Sequence, residues 1–184
     1  LKKVVIIAVA LFISTFCSTF SYASNEIKLR ATGYYIDINS QSDISAQELD
    51  AFLSKSGLAG LGKCFKEVES LYNINAEALS AIAIEESGWG KKCANTNNLV
   101  GFEARHKSKN RYAAFKSKEE CLHIVAKHLA NNYVKPGQKY FYKSAMLKDI
   151  NHFYCELPTW KNNVGNIVKK IQKYKNNIRK HIDL

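Results

Sequence analysis

At 184 residues, 46% apolar and 11% aromatic, the chain has the length and composition of one globular domain with a sizeable core, which excludes a wholly disordered protein. Its 27 Lys and Arg against 16 Asp and Glu leave a formal charge of +11, which suits an anionic partner or a solvated lysine surface. No CxxC pair or Cys/His cluster at zinc spacing occurs and the five His are scattered, so no metal centre is expected, and each His reads as a surface or packing residue.

The opening "LKKVVIIAVALFISTFCSTFSYAS" has Lys2 and Lys3, an uncharged run from Val4, and the small-x-small sequence Ser21-Tyr22-Ala23, which read as an export signal over residues 1–23. The alternative is a retained membrane anchor, against which stand the Ser/Thr-rich second half and the cleavage-type ending. Cys17 follows Phe16 rather than a small residue, which argues against lipid modification. Cleavage after Ala23 would remove two lysines and no acids, leaving 25 − 16 = +9. Export makes the anionic cell wall or a membrane surface a better partner than nucleic acid, with membrane contact only through the signal segment if it is uncleaved. It also makes Cys64, Cys93, Cys121 and Cys155 an even set in an oxidising compartment, so two disulfides are expected, with three pairings open.

Residues 24–44, containing "ATGYYIDINSQSD", read as an extended leader, and residues 45–184 as one mainly helical domain, with no internal repeat or low-complexity linker. Ser45-Ala-Gln-Glu48 is a capping box opening a short helix over Leu49, Phe52 and Leu53, which "GLAGLG" ends. A second helix is expected through Cys64, Phe65, Val68 and Leu71. Asn75 caps a third, "ALSAIAIEESGWGKK", closed by Gly88 or Gly90. Residues 93–117 turn irregular, with "NTNNLVGF" a polar loop and "RYAAF" an extended piece. Ser117-Lys-Glu-Glu120 is a second capping box, before a helix with Leu122, Val125, Ala126 and Leu129 inward. A last helix follows Pro158, with Val164, Ile167, Val168 and Ile171 inward and lysines outward.

In the third helix Leu79, Ile82, Ala83 and Glu86 share a stripe at 100° per residue, while Glu85 turns away. A glutamate among apolar neighbours has its charged form disfavoured, so its pKa rises and it can act as a general acid, as glycoside cleavage requires. A buried glutamate in a structural ion pair would give the same pattern.

The run "GLAGLGKCFKEVESLYNINAEALSAIAIEESGWGKK", then "TNNLVGF", "YAAFKSKEECL", and "YC" and "W" before the last helix, resembles the glucosaminidase domain of glycoside hydrolase family 73, over roughly residues 45 to 172. The resemblance implies a mainly α, lysozyme-like fold with a small irregular lobe inserted after the catalytic helix. The implied activity is cleavage after N-acetylglucosamine in peptidoglycan strands, without metal or organic cofactor. It places the catalytic glutamate on Glu86 and a supporting tyrosine on Tyr154. Substrate contacts are implied for Trp89, Asn98 and Phe102, with packing or turn roles as the alternatives, and an Asx turn is expected at Asn97. Many relatives carry a longer hairpin with a second carboxylate. Here "EARHKSKNR" offers only Glu103, beside Arg105, His106, Lys107 and Lys109, so either Glu103 is a base or the 2-acetamido group of the substrate is the nucleophile. The segments that the family brings together favour Cys64 with Cys121 and Cys93 with Cys155. A lytic transglycosylase on the same fold and a non-catalytic, cationic wall-binding or antibacterial protein are the alternatives.

Overall fold

The computed structural model describes residues 33–103 and 111–182; the expected signal and the first part of the leader, residues 24–32, lie outside them. Among the described residues there are six helices: α1 (Ala46–Leu53), α2 (Gly62–Tyr72), α3 (Ala76–Ser87), α4 (Lys118–Asn132), α5 (Leu147–Tyr154) and α6 (Trp160–Ile182). Among the described residues extended pairing is limited to two isolated antiparallel bridges, Asp37 with Met146 and Glu103 with Tyr112. The expected mainly α plan with an irregular insertion after α3 therefore holds. None of the described helices is long and apolar enough to cross a membrane.

α3 is the central element, packed chiefly along α6 and also against α2. Ten of its residues, Ala76 to Ile84 and Ser87, are buried on every side. A helix apolar all round belongs in the middle of a core. Asn75 accepts from Ala78 N at 3.0 Å to start it, and Gly88 at φ 54 ends it in the left-handed conformation. The Ser45–Glu48 capping box forms reciprocally. At α4 the Ser117 hydroxyl accepts from Glu120 N, but the Glu120 carboxylate reaches one residue further back, to Lys116 N.

Three differences from expectation have physical causes. Leu71 is 60% exposed, and the buried position on α2 belongs to Glu69 instead. Its carboxylate ion-pairs with Lys66 and accepts from Ser42 N at 2.7 Å and from Ala76 N at 2.8 Å, so it satisfies the first amide of α3. Lys175, one turn past Ile171 on the inner stripe of α6, is buried and ion-paired with Glu77 at 2.9 Å and with Asp43. Residues 33–44 are not a separate extended leader. Ile38 and Ile44 are core residues, and Ile38 N donates to Ala145 O at 2.9 Å.

Among the described residues Cys64, Cys93, Cys121 and Cys155 are free thiols, which corrects the expectation of two disulfides among them. Cys64 and Cys121 are buried in α2 and α4, Cys93 is exposed and Cys155 is half-buried. The thiol within electrostatic reach of Cys121 is Cys93, whereas Cys64 has the Glu119 and Glu67 carboxylates near it. The two buried thiols serve as small apolar core residues.

Candidate active site

The last turn of α3 leaves the core at its C-terminal end, where Glu85 and Glu86 emerge between the irregular insertion and the start of α6. The Glu85 carboxylate, on the turned-away face, accepts from Asn163 Nδ2 at 2.8 Å, an anchor to α6. Glu86 opens onto a cleft of about 1140 Å³. Because nearly all of α3 is buried, the wheel argument for an inward Glu86 carried little information; this residue lies at the boundary, exposed on its cleft side.

The geometry around Glu86 suits an acid. Protein atoms crowd it enough that desolvation raises its pKa above the ordinary glutamate value. Trp160 Nε1 donates to its Oε1 at 2.6 Å, which opposes that rise, and the neighbouring Glu85 charge adds to it. Among the described residues Oε2 has no hydrogen-bond donor. Trp160 is itself buried and packs on Tyr154, ring centroids 4.7 Å apart.

Tyr154, the last residue of α5, lines the same cleft. Burial first, and then the Glu86 carboxylate, hold its pKa well above the ordinary phenol value, so the hydroxyl stays a donor over the working pH range. Tyr133 packs against Tyr154 and Tyr140, with centroid distances of 6.1 Å and 4.9 Å, and burial pushes its own hydroxyl up to about 12.

Phe102 reaches the cleft, held edge-on to His128 at 5.2 Å. Asn98 does not. It is buried, its Nδ2 donating to Phe102 O and Ala113 O, both at 2.8 Å, and its Oδ1 accepting from Phe102 N at 2.9 Å. Its amide fixes the loop that carries Phe102 and leaves nothing over for a sugar. Asn97 is left-handed, φ 55, and donates to Phe115 O and Lys116 O at 3.1 Å, a tie across the insertion in place of the expected Asx turn.

Trp89 also lies apart from the cleft. Gly57 and Gly90 touch backbone to backbone, where a Cβ on either would come within 2.4 to 2.7 Å of the other, and Gly57 N donates to Trp89 O at 2.8 Å. This contact turns Trp89, at φ 64, toward α1, where it packs on Phe52 and lines a separate depression with Lys55 and Lys91.

Glu103 lines the cleft on the bridged pair with Tyr112, and its Oε1 takes Arg111 Nε at 2.7 Å and Nη2 at 2.5 Å. The basic neighbours Arg105, His106, Lys107 and Lys109 fall outside the described residues.

Sequence reasoning missed His128, Asn132, Tyr133 and Tyr140 as cleft residues. His128 and Asn132 are one turn apart on α4, flanking the apolar stripe through Val125 and Leu129, so helical spacing alone could have found them. Among the described residues no group of His, Cys, Asp and Glu is placed to hold a metal.

A family model described as "Glucosaminidase: Mannosyl-glycoprotein endo-beta-N-acetylglucosaminidase" matches residues 62–173, more than half of the chain and every described residue that lines the cleft. The chain belongs to the glucosaminidase family. It is therefore a glycoside hydrolase by family, and its mainly α fold is the lysozyme-like one. The fold is shared with solved structures of Staphylococcus aureus autolysin E. A catalytic mutant of that protein in complex with the disaccharide NAG-NAM superposes with a TM-score of 0.63 at 22% identity, covering 77% of this chain and 72% of that one. Its complex with the muropeptide NAM-L-Ala-D-iGlu gives 0.63 at 23% identity, covering 83% and 78%. No curated protein matches.

Proposed function

We propose that this glucosaminidase is an exported peptidoglycan hydrolase, cutting the glycan strand after N-acetylglucosamine with Glu86 as general acid. The observation that supports it most is the single hydrogen bond from Trp160 to one oxygen of a desolvated carboxyl that opens onto the cleft. One oxygen is held, and the other is free to deliver a proton to the leaving sugar oxygen. General acid catalysis of this kind is typically worth about 10²–10⁴ in rate. The family match and the wall saccharides bound by the fold neighbours favour this substrate class.

The second group is the substrate's own 2-acetamido oxygen, which attacks the anomeric carbon as the glycosidic bond breaks. Glu103 is a poor alternative because the Arg111 guanidinium, a full positive charge with two donors on its carboxylate, holds the electrons a base or nucleophile has to offer. Tyr154, protonated and packed between Tyr133 and Trp160, donates to charge that grows on the substrate in the transition state. Phe102 and the exposed Phe153 offer apolar ring faces to the sugars. The charge of +11, or +9 once residues 1–23 are removed, draws the enzyme to the anionic wall. Analysis of the ends released from purified peptidoglycan tests the reading, since hydrolysis leaves a reducing N-acetylglucosamine and a lytic transglycosylase leaves an anhydro-muramyl end.

A further inference from the structure

The described residues lining the cleft include three carboxylates, Glu86, Glu103 and Glu156, and one permanent cation, Arg111. Among these described residues, Arg111 is the permanently charged group that can pair with a carboxylate on the ligand.

Arg111 is fixed but not used up. Its Nε and Nη2 converge on Glu103 Oε1, its guanidinium lies 5.9 Å from the centroid of the Tyr112 ring, and Nη1 has no partner among the described residues. Three-quarters of the side chain is exposed, 74%, so the pair with Glu103 is no buried structural bridge and contributes little to stability. What it does is hold a planar donor fork in one orientation on the cleft wall. Glu156, further along the cleft from Tyr154, is close enough to favour the Arg111 charge, though less than Glu103 does. Glu103 and Glu156 offset part of the Arg111 charge, and the guanidinium edge that Glu103 leaves open carries the donors an incoming carboxylate can take.

We propose that Arg111 is a carboxylate-binding, specificity-determining residue that recognises the peptide branch of the glycan strand, with Glu103 as its positioning residue. The proposal rests on the peptidoglycan reading and deepens it. A guanidinium edge pairs two donors with the two oxygens of a carboxylate, which an ammonium group does not. Neutral strands without acidic branches have nothing to offer it.

The test compares purified peptidoglycan with the same material after its free carboxylates have been converted to amides by carbodiimide and ammonia. Wild type, Arg111→Gln, Arg111→Lys and Lys170→Gln are assayed on both. Lys170→Gln makes the same change of charge at an exposed position on α6 outside the cleft, so it reports the effect of overall charge. Wild type should show a KM about three- to tenfold lower on the untreated wall, with kcat little changed, in keeping with one exposed charge-assisted pair. Arg111→Gln should shrink that difference well beyond the small loss that Lys170→Gln causes through overall charge, and Arg111→Lys should restore part of it. A wild type with equal KM on both walls, or an Arg111→Gln enzyme that loses no more of the preference than Lys170→Gln does, overturns the proposal while leaving the glucosaminidase reading intact. Failure of the wild type to release N-acetylglucosamine ends refutes that reading instead.

Discussion

The Trp160 indole donates to Glu86 Oε1 at 2.6 Å, joining the first residue of α6 to the last turn of α3 across 74 positions of sequence. This bond stabilises the ionised carboxylate, whereas burial and Glu85 favour the protonated form. Trp160→Phe keeps the buried ring but removes the donor, so the Glu86 pKa should rise further. An acid with a higher pKa stays protonated to higher pH. The basic limb of the kcat/KM profile should therefore move to higher pH, with a lower plateau because the carboxyl is less well oriented. Glu85→Gln, which removes a like charge, should move the same limb to lower pH. A pH–rate series on the three proteins checks both directions; a Trp160→Phe limb shifted downward contradicts the assignment.

Asn98 is the internal tie of the irregular insertion. Asn98→Ala leaves Ala113 O and Phe102 N without their side-chain partner, while Phe102 O keeps the Ala113 amide. An unsatisfied group costs about 1–3 kcal/mol when buried and less when part-buried, so a loss of roughly 1–3 kcal/mol is expected in urea denaturation. Asn98→Asp should do no better, since it sets an acceptor against two carbonyls. Activity should fall with stability, because Phe102 loses its anchor.

Helix ends and core stripes were the most legible features of the sequence. The Ser45–Glu48 box, the Asn75 cap, the Gly88 stop and the stripe through Val164 and Ile171 depend on local contacts, and local contacts are written in local spacing. Glu69 and Lys175 were not legible, because each is buried only by partners far along the chain. The site divides along the same line. Glu86 and Tyr154 stand in recognisable motifs, but the Trp160 bond, the Arg111 fork and the placement of Trp89 outside the cleft come from contacts between distant segments. The expectation of disulfides went wrong by inferring pairing from compartment and count, when two of the four thiols are filling core volume.

The cysteines should separate by environment. Burial pushes the Cys64 thiol up to about 12 and the Cys121 thiol up to about 11, so neither yields thiolate near neutral pH. A thiol reagent on the native protein should label exposed Cys93 first and half-buried Cys155 more slowly, reaching Cys64 and Cys121 only on unfolding. Four labelled thiols in denaturant without reductant confirm the free state. Two missing thiols would establish a disulfide.

The central claim is that Glu86 delivers the proton in a hydrolysis after N-acetylglucosamine. Glu86→Gln keeps the shape and removes the proton. Since an ionised, desolvated Glu86 opposes folding above its raised pKa, the variant should be folded and somewhat more stable at neutral pH, with the gain disappearing as the pH falls below the ordinary glutamate range. The decisive measurement is mass spectrometry of purified peptidoglycan digested side by side with wild type and Glu86→Gln. Wild type should release fragments ending in reducing N-acetylglucosamine, and Glu86→Gln the same fragments at least about a hundredfold more slowly. Anhydro-muramyl ends from the wild type, or equal rates from the two proteins, would contradict it.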